Sequence, residues 1–93
     1  MTDPRRWQVI LTRQPERILR RLPRDLLRRI DRKLLELAID PRPEGCKQLT
    51  GYESLYRVRV GDWRITYEVE DDRLIVLVLE IAPRGGAYRN LKG

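Results

Sequence analysis

Three arginines, Arg57, Arg59 and Arg64, bracket a Gly61-Asp62 dipeptide, and their spacing decides what they can do. The dipeptide separates two runs of alternating polar and apolar residues, and a glycine in first place is what a two-residue type II′ hairpin turn requires. Counting outward from that turn sets Val60 against Trp63, Arg59 against Arg64, Val58 against Ile65, Arg57 against Thr66 and Tyr56 against Tyr67. Tyr56, Val58, Val60, Trp63, Ile65 and Tyr67 then share one apolar face, and the three arginines share the other. Like charges directly opposed in a sheet are destabilising by up to about 1 kcal/mol per pair. Arg59 opposite Arg64 therefore calls for an explanation. One is a solvated face on which Glu68 or Glu70 screens the repulsion. The other is recognition, because guanidinium groups side by side present planar forks of donors to a phosphodiester or to carboxylates.

The rest of the composition narrows the chemistry. The chain has no histidine, which removes serine–histidine triads, histidine-ligated zinc and imidazole acid–base pairs together. Its lone cysteine, Cys46, has no intramolecular disulfide partner and belongs to no metal-binding cluster, so a reducing compartment and an inert thiol are expected. No glycine-rich phosphate loop precedes a helix, and neither a cofactor nor a metal is expected. With 20 Lys and Arg against 14 Asp and Glu, the net charge is +6, and arginine makes up most of the excess. That balance suits an anionic partner, either nucleic acid or an acidic protein. The short basic stretch from Met1 to Arg6 leads into no apolar segment long enough for a signal peptide or a membrane span, so the cytosol is the expected location.

The elements that must position the arginines read as follows. Trp7 to Thr12 has the character of a short opening strand. Helical spacing begins at Pro15, with Ile18, Leu19 and Leu22 on one side and Arg17, Arg20 and Arg21 on the other, and Pro23 is expected to end this helix. A second helix is predicted from Arg24 to Ile39. Leu26, Leu27, Ile30, Leu34, Leu37 and Ala38 form its core stripe, opposite Arg24, Arg28, Arg29, Arg32 and Lys33. Asp40 to Gly45 stops the helix with two prolines and a glycine, and the loop is expected to continue from Gln48 to Ser54. Three strands follow, over 55–60, 63–70 and 73–82; the last is apolar on both faces at 74–79 and so reads as central in its sheet. At 93 residues the chain is expected to form one α+β domain over 1–93, in the order β-α-α-β-β-β. Two N-terminal helices would pack on one face of a four-stranded, mainly antiparallel sheet. The glycine-containing segment after it, through Arg84, Tyr88 and Arg89, could fold back over the sheet.

Three stretches resemble the RelE/ParE superfamily of type II toxin–antitoxin toxins: Cys46-Lys47-Gln48-Leu49-Thr50-Gly51, Leu55 through Val69, and Ile81-Ala82-Pro83-Arg84 through Tyr88-Arg89. The element order agrees, so the resemblance covers nearly the whole chain. In the ribosome-dependent ribonucleases of that family, basic residues on the sheet grip the messenger backbone, the 2′-hydroxyl attacks the adjacent phosphate, and a C-terminal tyrosine positions a base. The resemblance implies a catalytic set of Arg59, Arg64, Arg84 and Tyr88, with Lys47, Arg57 and Arg89 binding substrate. Arg57, Arg64 and Arg84 would hold the phosphate and its developing charge while Tyr88 orients the nucleotide.

Two departures bear on mechanism. Pro83 stands where many members carry histidine or lysine, and Arg57 and Arg59 stand where the best-known member carries lysines. Arginine stays protonated above pH 12 or so and makes a poor general base, so charge stabilisation and in-line positioning would supply most of the rate. The expected enzyme is slow alone and active when the ribosome orders its substrate. The resemblance leaves two other readings open, a ParE-like toxin that inhibits DNA gyrase by binding it and a relic whose basic face only binds antitoxin. In each case the expected partner is a separate antitoxin whose acidic and apolar segment covers the helices and the arginine face; the ribonuclease adds messenger RNA and the ribosome, and no membrane is implied.

Overall fold

The computed structural model describes residues 6–83. Val9, Ile10 and Leu11 open the chain as strand β1 (Gln8–Leu11), which turns at Thr12 into helix α1 (Arg13–Leu19). The helix starts two residues before Pro15. A proline in a first turn costs no hydrogen bond, since the leading N–H groups of a helix have no acceptor inside it. Pro23 does not end α1, which stops at Leu19; with extended backbone (φ −57°, ψ 152°) it instead caps the start of α2 (Arg24–Ile39). Of the α2 stripe, Ile30, Leu34, Leu37 and Ala38 are buried, while Leu26 and Leu27 in the first turn are only half-buried.

The sheet has five strands rather than four. The added one, β2 (Lys47–Gln48), lies in what reads as loop, and it is followed by β3 (Leu55–Val60), β4 (Trp63–Glu70) and β5 (Ile75–Pro83). Two residues carry no alternation, so β2 exists only because β3 offers its free edge: Lys47 pairs with Arg57 and Gln48 with Tyr56. The spatial order is β1-β5-β4-β3-β2, with β1 parallel to β5 and the other pairs antiparallel. β5 is an interior strand, paired on both sides by β1 and β4, as its doubly apolar sequence predicts, although β4 holds the middle of the sheet. It begins at Ile75 rather than Arg73 because Leu74 takes φ of 55° and breaks the extended run.

Both helices pack on one face of this sheet. Ile30, Leu34 and Leu37 meet Val58, Val60, Ile65, Tyr67, Val69, Val76, Val78 and Ile81 in the core, with Trp63 and Tyr56 at its margin. No helix among the described residues is long and apolar enough to cross a membrane.

The far end of the hairpin is tied to the helix–strand loop. Arg42 makes two bonds to the Asp71 carboxylate, at 3.2 and 2.9 Å, donates through Nε to the Tyr56 hydroxyl at 2.9 Å, and lies 5.1 Å above the Tyr56 ring. Tyr56 stacks on Tyr67 at 6.0 Å, and the Tyr67 hydroxyl donates to the Pro41 carbonyl at 2.7 Å. The hydrogen bond from Arg42 holds Asp71 below the usual carboxylate range, and burial pushes the Tyr67 phenol up. This clasp fixes the loop that delivers Lys47 to the edge of β3.

Candidate anion-binding cleft

Gly61 turns the β3–β4 hairpin at φ of 60°, while Asp62 keeps an ordinary negative φ, the pattern of a type II′ turn. A side chain at Gly61 would also meet the Arg29 guanidinium of α2, 2.6 Å from where its Cβ would lie, so helix and turn approach closely here. The turn sets the register residue by residue: Val60 to Trp63, Arg59 to Arg64, Val58 to Ile65, Arg57 to Thr66 and Tyr56 to Tyr67. Val58, Val60, Ile65 and Tyr67 go into the core. Arg57, Arg59 and Arg64 emerge on the opposite face.

Their neighbours follow from the pairing. Lys47, Arg57, Thr66 and Glu80 form one row across β2, β3, β4 and β5, and Arg59, Arg64 and Ala82 form the next. Lys47, Arg57, Arg59 and Arg64, with Gly45, line a single cleft of about 260 Å³. Arg59 and Lys47 are exposed; Arg57 and Arg64 are half-buried. Among the described residues none of these four cations has an ion-pair partner; the salt bridges found run from Lys33 to Glu36, Arg42 to Asp71 and Arg73 to Glu70. The Nε of Arg57 is buried and finds no acceptor among the described residues.

An orphaned buried donor costs about 1–3 kcal/mol, and more on a charged group. Added to the repulsion between Arg59 and Arg64, this makes the cleft a place where the fold is strained by its own charges. An oxyanion relieves both costs, accepting from Arg57 while neutralising its neighbours. The arrangement can therefore bind a phosphate or carboxylate and stabilise negative charge that develops on it. A guanidinium, however, does not exchange a proton near neutral pH, so these arginines supply no base. No cluster of three metal-ligating side chains occurs among the described residues.

Of the residues singled out in the sequence, Lys47, Arg57, Arg59 and Arg64 come together here. Arg84, Tyr88 and Arg89 lie outside the described residues. Sequence reasoning missed Gly45, whose φ of 93° suits glycine at the cleft wall, and Glu80, which shares the arginine face. The signal for Glu80 was present: a lone carboxylate inside an otherwise apolar strand.

A second surface differs in character. On α2, Leu35 and Ile39 are 66% and 65% exposed, and Leu35 borders a groove of about 320 Å³ between α2 and β1, lined by Arg6, Val9, Asp31, Leu34, Leu35 and Ala38.

Comparison with known proteins places these features in context. Residues 9–88 match the family described as the ParE toxin of the type II toxin–antitoxin system parDE. A Methanocaldococcus jannaschii chain carrying the name RelE1 is 43% identical over 44 residues, 47% of this chain and 49% of that one. The chain thus spans about half the length of that curated relative. Among solved structures, a chain of the archaeal RelE–RelB complex from Pyrococcus horikoshii superposes with a TM-score of 0.77 at 30% identity, covering 85% of this chain and 96% of that one. A chain of the intact Escherichia coli RelBE toxin–antitoxin complex gives 0.74 at 21% identity, over 86% and 98%, a likeness of fold.

Proposed function

Because the chain belongs to the RelE/ParE family of type II toxin–antitoxin toxins, we propose that it is the toxin of such a pair and that, when free of its antitoxin, it cuts messenger RNA on the ribosome. The observation that carries this reading is the cleft. Four cations without ion-pair partners among the described residues meet there, with a buried Arg57 Nε lacking an acceptor. A phosphodiester fits those donors. Arg57 and Lys47 grip the backbone, and Arg59 and Arg64 face the phosphoryl oxygens as charge builds on them. Arg84 and Tyr88 are proposed to complete the set, and Arg89 to bind substrate. The ribosome, by ordering the messenger in-line, supplies the positioning that the four cations alone do not.

The same charges suit an antitoxin. The Pyrococcus horikoshii and Escherichia coli relatives are known as complexes with RelB, which supports an antitoxin partner for this chain. An acidic segment over the cleft and an apolar one against Leu35 and Ile39 would neutralise both surfaces.

One observation favours a second reading, inhibition of DNA gyrase by binding. Pro83 ends β5 where a ribonuclease would gain from another basic or proton-donating side chain. The two readings separate in one experiment: express the chain in cells, map messenger 5′ ends on translating ribosomes, and assay supercoiling by purified gyrase. Codon-phased breaks that vanish in Arg64→Ala support the ribonuclease; gyrase inhibition with intact messenger supports the second reading and removes the first.

A further inference from the structure

We propose that Glu80 is the proton acceptor of the cleavage, taking the proton from the attacking 2′-hydroxyl, an inference that rests on the ribonuclease reading above. Attack on phosphorus requires that the 2′-hydroxyl give up its proton, and the cleft's guanidinium groups do not take it. The sequence holds no histidine. A carboxylate on the arginine face can take it, and pairing places three acidic residues there from β4 and β5: Glu68, Glu70 and Glu80. Glu68 accepts from the Ser54 hydroxyl at 3.3 Å and Glu70 pairs with Arg73 at 3.2 Å, both toward the end of the sheet away from Arg59 and Arg64. Glu80 stands in the row of Lys47, Arg57 and Thr66, two positions from Ala82, the partner of Arg64. A phosphodiester seated between Arg57 and Arg64 lies across Thr66 from it.

An irregularity in the sheet puts Glu80 on this face. Val78 pairs with Tyr67 and belongs to the core, so strict alternation would send Leu79 outward, Glu80 inward and Ile81 outward. The register shifts between Thr66 and Tyr67, where Val78 and Glu80 become the partners of adjacent residues and Leu79 is left over. The bulge reverses the pattern beyond it: Ile81 is fully buried and Glu80 joins the arginines. Bulges that re-aim one side chain are common beside active sites. This one is braced from the β1–α1 corner. The Thr12 hydroxyl donates to the Val78 carbonyl at 2.8 Å and to that of Leu79 at 3.4 Å, and the Gln14 amide engages both the N–H and the C=O of Ile81, each at 3.0 Å.

Among the described residues, the charged groups that strand pairing puts on Glu80's face are Lys47 of β2, Arg57 and Arg59 of β3, and Arg64, Glu68 and Glu70 of β4; β1 contributes Gln8 and Ile10, which carry no charge. Glu80 is itself engaged by an interaction within the chain, and binding substrate would have to exchange it. In the step, the 2′-oxygen–phosphorus bond forms as its proton passes to the Glu80 carboxylate, and the bond from phosphorus to the 5′-oxygen breaks. The leaving oxygen takes a proton from water, and Glu80 later returns its own to solvent. The products are a 2′,3′-cyclic phosphate and a 5′-hydroxyl.

The test is single-turnover cleavage of messenger on programmed ribosomes, comparing the wild-type chain with Glu80→Gln and Glu80→Asp, each checked for folding by its thermal midpoint and for binding to the programmed ribosome. A general base contributes about 10²–10⁴ in rate, so Glu80→Gln is expected to cleave at least about 100-fold more slowly with binding unchanged, and Glu80→Asp to recover part of the rate. A Glu80→Gln chain as fast as wild type overturns the proposal and leaves the ribonuclease reading standing. So does a slow one whose binding or thermal midpoint falls in step with its rate, which marks a structural carboxylate. Absence of cleavage by the wild-type chain overturns the proposal together with the reading beneath it.

Discussion

Arg57, Arg59 and Arg64 are positioned against the stability of the fold, and this gives them a signature that separates binding from scaffolding. A structural arginine destabilises when it is removed. Here Arg59 faces Arg64 across the hairpin, so Arg59→Gln is expected to raise stability by up to about 1 kcal/mol in urea unfolding while weakening messenger cleavage. A loss of stability in that variant would place Arg59 in the scaffold. Arg42 behaves in the opposite sense. Its hydrogen bonds to Asp71 hold that carboxyl below its usual range, so the contribution to stability is present above the ordinary aspartate value and is lost as pH falls through the lowered one. Thermal midpoints of wild type and Asp71→Asn are therefore expected to differ near pH 6 and to converge as the pH drops below 4. The pair is exposed, so the gap should be small and should narrow with salt.

At the scale of elements, the hairpin was legible and the edges of the sheet were not. Gly61-Asp62 with alternating flanks admits one register, and the structure has it, because a slip of one residue would bury three arginines. Gly61→Ala is expected to cost about 1–2 kcal/mol through its left-handed backbone, with the Arg29 side chain displaced as well; chemical denaturation reads the difference. Strand β2 escaped the sequence because Lys47 and Gln48 are extended only by virtue of pairing with β3. The bulge in β5 escaped it too. Nothing in Val78-Leu79-Glu80-Ile81 announces an extra residue, and the partners that stabilise it, Thr12 and Gln14, are more than 60 positions away in sequence. Gln14→Ala strips the Ile81 N–H and C=O of their partners, an expected loss of about 1–3 kcal/mol. It should also slow cleavage by more than that loss of fold explains, since Glu80 sits next to Ile81.

For the molecule as a whole, the sequence told which face carries the arginines but not that, among the described residues, they lack ion-pair partners. Register places arginines on a face; only coordinates show that, among the described residues, the Arg57 Nε is buried without an acceptor and that Glu68 and Glu70 bond to Ser54 and Arg73 instead. Excess positive charge then makes binding to any polyanion salt-dependent, whether messenger or acidic antitoxin. Apolar contact with Leu35 and Ile39 is far less so. An antitoxin using both surfaces is expected to keep measurable affinity for the chain at salt concentrations that release RNA, as read by titration calorimetry across an ionic-strength series.

The most direct measurement is product analysis with purified components. The chain is mixed with messenger RNA alone or on programmed ribosomes, and the fragments are examined for their ends. The account predicts fragments bearing a 2′,3′-cyclic phosphate and a 5′-hydroxyl, formed on ribosomes, slow without them, and lost by two orders of magnitude or so in Arg64→Ala. Intact messenger in every mixture, or cleavage that Arg64→Ala leaves unchanged, would contradict it.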